Sequence, residues 1–179
     1  MKLYDFGPAA NAQRVRVFLA EKGIDVPVEQ LNVREDRQFA EPYTSMNPFH
    51  CVPFLELDDG TVIAESISIC RYLEELHPEP SLFGRTAEER AVVDMWLRRF
   101  ELDGFIPLLH ALRNHAPTFA GKVVPGTRTN LPQSPIWCSV ARRWPQSSSI
   151  GLSHCWRGGS TLRSTALPLR ISAAASPCG

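Results

Sequence analysis

Asp and Glu are missing from every position after Asp103, although the 179-residue chain as a whole balances 19 Lys and Arg against 19 Asp and Glu. From Leu131 onward Lys, Phe, Tyr and Met are missing as well, while Ser, Arg, Pro and three of the five cysteines (Cys138, Cys155, Cys178) accumulate. A tail with no lysine cluster and no interleaved aromatic platform excludes a nucleic-acid-binding arm. No Cys stands at the C-x-x-C spacing from Cys51, which excludes a thioredoxin-type dithiol. Metal-ligand spacings, a phosphate-cradling glycine loop and a membrane-spanning apolar run are also lacking, so neither a metal, a nucleotide phosphate nor a membrane is expected as a partner. The apolar run Lys2 to Phe6 is too short and too poorly flanked to be a leader. With an odd number of scattered cysteines, this predicts a cytoplasmic protein without a disulfide scaffold.

The densest information lies between Asn47 and Leu76, N-P-F-H-C-V-P-F-L-E-L-D-D-G-T-V-I-A-E-S-I-S-I-C-R-Y-L-E-E-L. Phe54, Leu55 and Leu57 read as one strand and Thr61 to Ala64 as the next, joined by Asp59-Gly60, a pair that tolerates the positive φ of a tight turn. Glu65-Ser66 then opens a run with Ile67, Cys70, Leu73 and Leu76 at helical spacing. The free N–H groups of such a helix start suit a carboxylate. Pro53 cannot donate an N–H, but the Val52 backbone beside it can pair with an extended ligand. Together these features predict a site for a short, anionic, peptide-like molecule. Upstream, Lys2 to Phe6 reads as a strand, Ala12 to Lys22 as a helix ended by Gly23, and Pro27 to Val33 as a second strand.

This order, with Y-D-F…N-A-Q-R-V-R-V-F-L-A-E-K-G-I at the start, resembles the glutathione S-transferases over roughly Met1 to Leu76. The resemblance implies an α/β thioredoxin-like N-terminal domain (βαβ-ββα) followed by an incomplete all-α C-terminal domain. It divides the chain into residues 1–77, a proline-rich linker at 78–85, the start of a helical domain at 86–130 and a tail at 131–179. The implied co-substrate is glutathione. Val52, ahead of a cis Pro53, is implied to exchange backbone hydrogen bonds with its cysteine, and Glu65 and Ser66 to hold its γ-glutamyl end. The implied function is transferase chemistry, in which the glutathione thiolate attacks a small electrophile. Two further readings stay open: a glutathione-binding or protein-interaction module with impaired catalysis, and a glutathione-dependent disulfide reductase. A homodimer is implied by the same likeness.

Two positions depart from the family pattern. The serine that donates to the glutathione thiolate in many members falls on Ala9, which has nothing to donate. Asn11, two residues on, is the expected catalytic donor; read alone, it serves equally as a helix cap. Tyr4 lies inside a strand and is expected to pack. Where many members carry Gly followed by Lys or Gln, reaching the glycyl carboxylate, this chain has His50-Cys51. His50 reads either as a partial substitute or as a solvated loop residue, and Cys51 as a candidate reactive thiol. Cys70 reads as core.

Beyond the linker, Thr86 and Glu89 form a capping box opening a helix through Val92, Val93, Trp96, Leu97 and Phe100, expected to persist to about Asn114 with a disturbance near Gly104 and Pro107. Trp96, Phe100, Phe105 and Leu109 either line a second-substrate pocket or form interdomain core. The tail has the composition of a GC-rich coding region read out of frame. Residues 163–172, translated in another frame, can spell Asp-Arg-Phe-Thr-Ala-Ala-Asp-Ile, which resembles a helix start in the family's second domain. A frameshifted or truncated second domain is therefore expected, with Val93, Trp96, Phe100 and Phe105 losing partners and a disordered remainder.

Overall fold

The computed structural model describes residues 1–128 and 130–137. Strand β1 (Lys2–Asp5) leads through a short loop to helix α1 (Ala10–Lys22) and strand β2 (Val28–Gln30). Two 3-10 turns and a short helix α2 (Tyr43–Met46) follow, then strands β3 (Phe54–Glu56) and β4 (Val62–Ala64) and helix α3 (Ser66–Leu76). The sheet order is β2-β1-β3-β4, with β1 parallel to β2 and the other pairs antiparallel. This is the thioredoxin-like βαβ-ββα arrangement that the sequence predicts.

Alternation along the strands decides which face each residue serves. Leu3 pairs with Leu55 and both turn to the layer of α1 and α3, where Val15, Phe18, Leu19, Ile69, Cys70 and Leu73 complete the core. Tyr4 pairs with Phe54 on the opposite face, their rings stacked 4.5 Å apart beside Leu31. Tyr4 is therefore a packing residue, as expected; its hydroxyl donates to Glu56 Oε2 at 2.8 Å, and burial and that carboxylate push its pKa up. Strand β2 is shorter than the expected 27–33 because its partner β1 ends at Asp5, opposite Gln30. Asn32 then begins a 3-10 turn, accepting from Arg34 N at 3.1 Å.

Helix α1 buries Ala12, Val15, Phe18, Leu19 and Lys22, one face at helical spacing. Gly23 ends it in the left-handed conformation, φ 64°. The Lys22 ammonium donates to the carbonyls of His77 (2.7 Å) and Pro80 (2.6 Å) and pairs with Glu74. Glu74 Oε1 accepts from Leu82 N at 2.9 Å and Phe83 N at 3.1 Å, so one ion pair pins the linker to the first domain.

Helix α4 (Ala87–Phe100) starts with the predicted capping box, Glu89 N donating to Thr86 Oγ1 at 3.1 Å and Glu89 Oε2 accepting from Thr86 N at 3.3 Å. A π turn, Glu101–Phe105, separates it from helix α5 (Ile106–His115). Pro107 is the physical reason: in a regular helix its ring would strike the carbonyl four residues earlier, that of Asp103, and a wider turn relieves the clash. Phe100 is 61% exposed, whereas Val93, Trp96 and Phe105 are half-buried. Residues 131–137, assigned to the tail by sequence, fold back on α5: Gln133 Nε2 donates to the carbonyls of Arg113 (2.8 Å) and Ala116 (2.7 Å), and Ser134 N to Asn114 Oδ1 (2.8 Å). The expectations for residues 138–179, the out-of-frame signature included, lie outside the described residues.

Candidate glutathione site

The β1–β3 register stops at Tyr4 opposite Phe54, so Val52 lies past the end of the paired ladder. The Val52–Pro53 bond is cis; Pro53 is buried and Val52 half-buried. The loop ahead of it is held by Asn47, 2% exposed, whose Nδ2 donates to Cys51 O at 2.9 Å and whose Oδ1 accepts from Phe49 N at 3.1 Å. Sequence pattern alone does not single out Asn47 for this role, although an Asn-Pro pair is a recognised turn signal.

On the other side of the edge, β4 passes directly into α3. Glu65 sits at the junction with φ 69° and ψ 123°, a conformation that is costly for a side chain with a Cβ and accumulates at ligand clamps. Its carboxylate is exposed, while Ser66, the first helical residue, is 3% exposed. Arg14 of α1 donates from Nη1 to Ser66 Oγ at 2.8 Å. A guanidinium, a hydroxyl and the free N–H groups of the helix start thus meet at one point, chemistry that fits a carboxylate. Sequence reasoning misses Arg14, which only tertiary packing brings to α3.

The loop into α1 is braced from below. Asp5, fully buried, pairs with Arg16 Nη1 at 2.5 Å, and Arg16 Nη2 reaches Gly7 O at 2.7 Å. The helix begins at Ala10, two residues earlier than expected, with Ala9 as an N-cap that makes no side-chain hydrogen bond. Asn11 therefore lies at the second helical position, and the reading of it as the cap is corrected. Its Oδ1 is buried without a hydrogen-bond partner. A thiol proton beside that oxygen would be retained, whereas a thiolate needs the Nδ2 end, so the amide orientation sets the sign of its effect.

His50 and Cys51 stand in the loop immediately ahead of Val52. His50 Nδ1 lies 3.3 Å from Gln38 O and the ring 4.8 Å from that of Phe39. Cys51 is half-buried and free; burial pushes its thiol up, the Glu65 carboxylate adds to this, and Arg113 partly offsets it. That environment keeps the sulfur protonated and weakens it as a nucleophile. A segment following α5 borders the same loop, with Lys122 paired to Asp36 at 2.7 Å and the Arg128 guanidinium 4.2 Å from the Phe39 ring centre. Gly126, at φ 68°, packs so closely that a Cβ would stand 2.1 Å from Phe49 O. Among the described residues no group of three or more His, Cys, Asp or Glu could hold a metal ion, and no helix is long and apolar enough to cross a membrane.

Residues 10–76 match the family described as "Glutathione S-transferase, N-terminal domain". A solved glutathione S-transferase domain-containing protein of Marinobacter aquaeolei VT8 superimposes with a TM-score of 0.76 at 30% identity, covering 88% of this chain and 75% of that one. This chain belongs to the glutathione S-transferase family. A second solved member, from Vibrio parahaemolyticus, gives a TM-score of 0.68 at 33% identity over 86% of this chain and 68% of that one. Among curated proteins, the maleylacetoacetate isomerase of Rattus norvegicus is 39% identical over 95 residues, 52% of this chain and 44% of that protein. Glutathione S-transferase 2 of Saccharomyces cerevisiae is 36% identical over 110 residues, 60% of this chain and 47% of that protein. The chain thus spans about half the length of the curated relatives it matches.

Proposed function

We propose that this protein binds glutathione along the Val52 edge and presents its thiolate to a small electrophile. The observation that carries the reading is the junction of Arg14, Ser66 and the α3 start beside the cis Val52–Pro53 bond. In this reading Val52 pairs with the cysteinyl backbone, and Ser66 with Arg14 takes the glutamyl carboxylate. The exposed Glu65 carboxylate meets the ammonium, and His50 and Cys51 flank the glycyl end. Asn11, with its Nδ2 turned to the sulfur, lowers the thiol pKa from about 8.5 toward neutrality. The protein contributes position and thiolate stabilisation. Similarity to maleylacetoacetate isomerases supports a glutathione-dependent isomerisation as a variant of this chemistry. Ala9, which has no donor, favours a second reading, a glutathione-binding module without turnover. A glutathione-dependent disulfide reductase would use the thiol of bound glutathione rather than the half-buried Cys51, whose pKa burial pushes up. The family likeness supports a cytoplasmic homodimer.

Calorimetric titration of the full chain with glutathione is the test. Saturable heat at millimolar or lower glutathione, reduced at least tenfold in affinity by Ser66→Ala, is expected. No heat at those concentrations overturns the reading, and binding without turnover of a generic electrophile selects the module.

A further inference from the structure

The carboxylate point at the start of α3 is coupled to the second half of the molecule through one side chain. Arg14 donates from Nη1 to Ser66 Oγ at 2.8 Å, and its guanidinium lies 5.2 Å from the centre of the Phe105 ring. Ser66 is buried, Arg14 and Phe105 are half-buried, and Phe105 closes the π turn. A π turn inserts one residue into the helix and rotates the downstream residues by about 100° relative to a regular helix. Pro107, two residues on, accounts for that turn, and Phe105 is the turn's last residue.

Arg14 has other choices. It borders a cavity of about 320 Å³ that is also lined by Glu21 and Glu101. Glu101 is already paired with Arg98 at 3.1 Å, but a long guanidinium side chain bordering an open cavity has several orientations unless something selects one. The Phe105 ring, centred 5.2 Å from the guanidinium, and the Ser66 hydroxyl at Nη1 together select one. A cation–π contact of this kind changes the share of time in that orientation several-fold.

We propose that Phe105 is a positioning residue: its ring holds Arg14 against Ser66, so that a ligand carboxylate at the α3 start meets a guanidinium already in place. This deepens the glutathione reading and rests on it for the identity of the ligand. The substrate class selected is a thiol peptide carrying a free carboxylate at the end that enters α3. Phe105 touches no reacting atom in this arrangement; its effect passes wholly through Arg14.

The test compares two ligands on the full chain: glutathione, and the analogue γ-aminobutyryl-cysteinyl-glycine, which lacks only the glutamyl α-carboxylate and keeps the ammonium. Phe105→Leu is expected to raise the glutathione Kd about three- to tenfold while leaving the analogue's Kd unchanged, and Phe105→Tyr to restore the unsubstituted value. Independently of any ligand, the ring-current shift of the Arg14 guanidinium protons in NMR is expected to vanish in Phe105→Leu and persist in Phe105→Tyr. Equal losses for both ligands, or an unchanged glutathione Kd in Phe105→Leu, would overturn the positioning role. If the unsubstituted chain binds neither ligand, the glutathione reading itself falls. The guanidinium shift then still reports whether the ring holds Arg14.

Discussion

In the proposed binding mode Ala9 takes the place of a thiolate donor, and the next polar side chain along the chain is Asn11, one residue into α1 from its first. Its amide offers both an acceptor and a donor, and only the donor helps a thiolate. Asn11→Ala is therefore expected to raise the pKa of bound glutathione by about one unit, lowering the thiolate fraction at neutral pH about tenfold, with little change in Kd. Ultraviolet titration of the thiolate in the protein–glutathione complex measures this directly; an unmoved midpoint would remove Asn11 from the mechanism. Asn11 can be proposed from sequence because it stands two residues from Ala9. Arg14 cannot, because its partner Ser66 is 52 residues away and nothing local distinguishes this arginine from Arg16.

Among the elements, the linker is the one most dependent on a single interaction. Lys22, at the end of α1, and Glu74, in the last turns of α3, together hold the chain from His77 to Phe83. Burial works against the Glu74 carboxylate, but the Lys22 ammonium and the Phe83 and Leu82 amides outweigh it and keep its pKa below the ordinary 4.5. A carboxyl whose folded pKa lies below its unfolded one adds stability above the unfolded pKa, and that stability is lost as pH falls through the folded value. Glu74→Gln is expected to cost about 2 kcal/mol at neutral pH, where it weakens charge-assisted hydrogen bonds. The cost should shrink on acidification below the ordinary Glu pKa of 4.5. Urea midpoints at neutral and acid pH check both statements, and a cost independent of pH would contradict the second.

Across the whole molecule, apolar burial is uneven. The first 76 residues enclose a core that includes Leu3, Leu55, Ile69 and Leu73, each no more than 1% exposed, whereas α4 and the turn after it leave Val92, Met95, Phe100 and Leu102 between 44% and 61% exposed. A side chain exposed to that degree contributes little when removed. Leu73→Ala is expected to destabilise the fold by about 2–5 kcal/mol through the cavity it leaves, and Phe100→Ser by no more than about 0.5 kcal/mol. Thermal unfolding of the two variants beside the parent decides it; a comparable loss from Phe100→Ser would show that this ring is covered in solution.

The sequence by itself determined the elements whose causes are local: the Asp59-Gly60 turn, the Gly23 stop, the Thr86–Glu89 capping box and the helix break ahead of Pro107. Each depends on residues within one or two turns of one another, so spacing and residue type suffice. It also determined the strand faces, because alternation assigns Leu3 and Tyr4 to opposite sides. Only the tertiary structure decided where α1 begins, how short β2 is, and which groups surround the start of α3. Those outcomes depend on partners far along the chain, Asp5 with Gln30 or Arg14 with Ser66 and Phe105, and a one-dimensional pattern carries no record of distance between such residues.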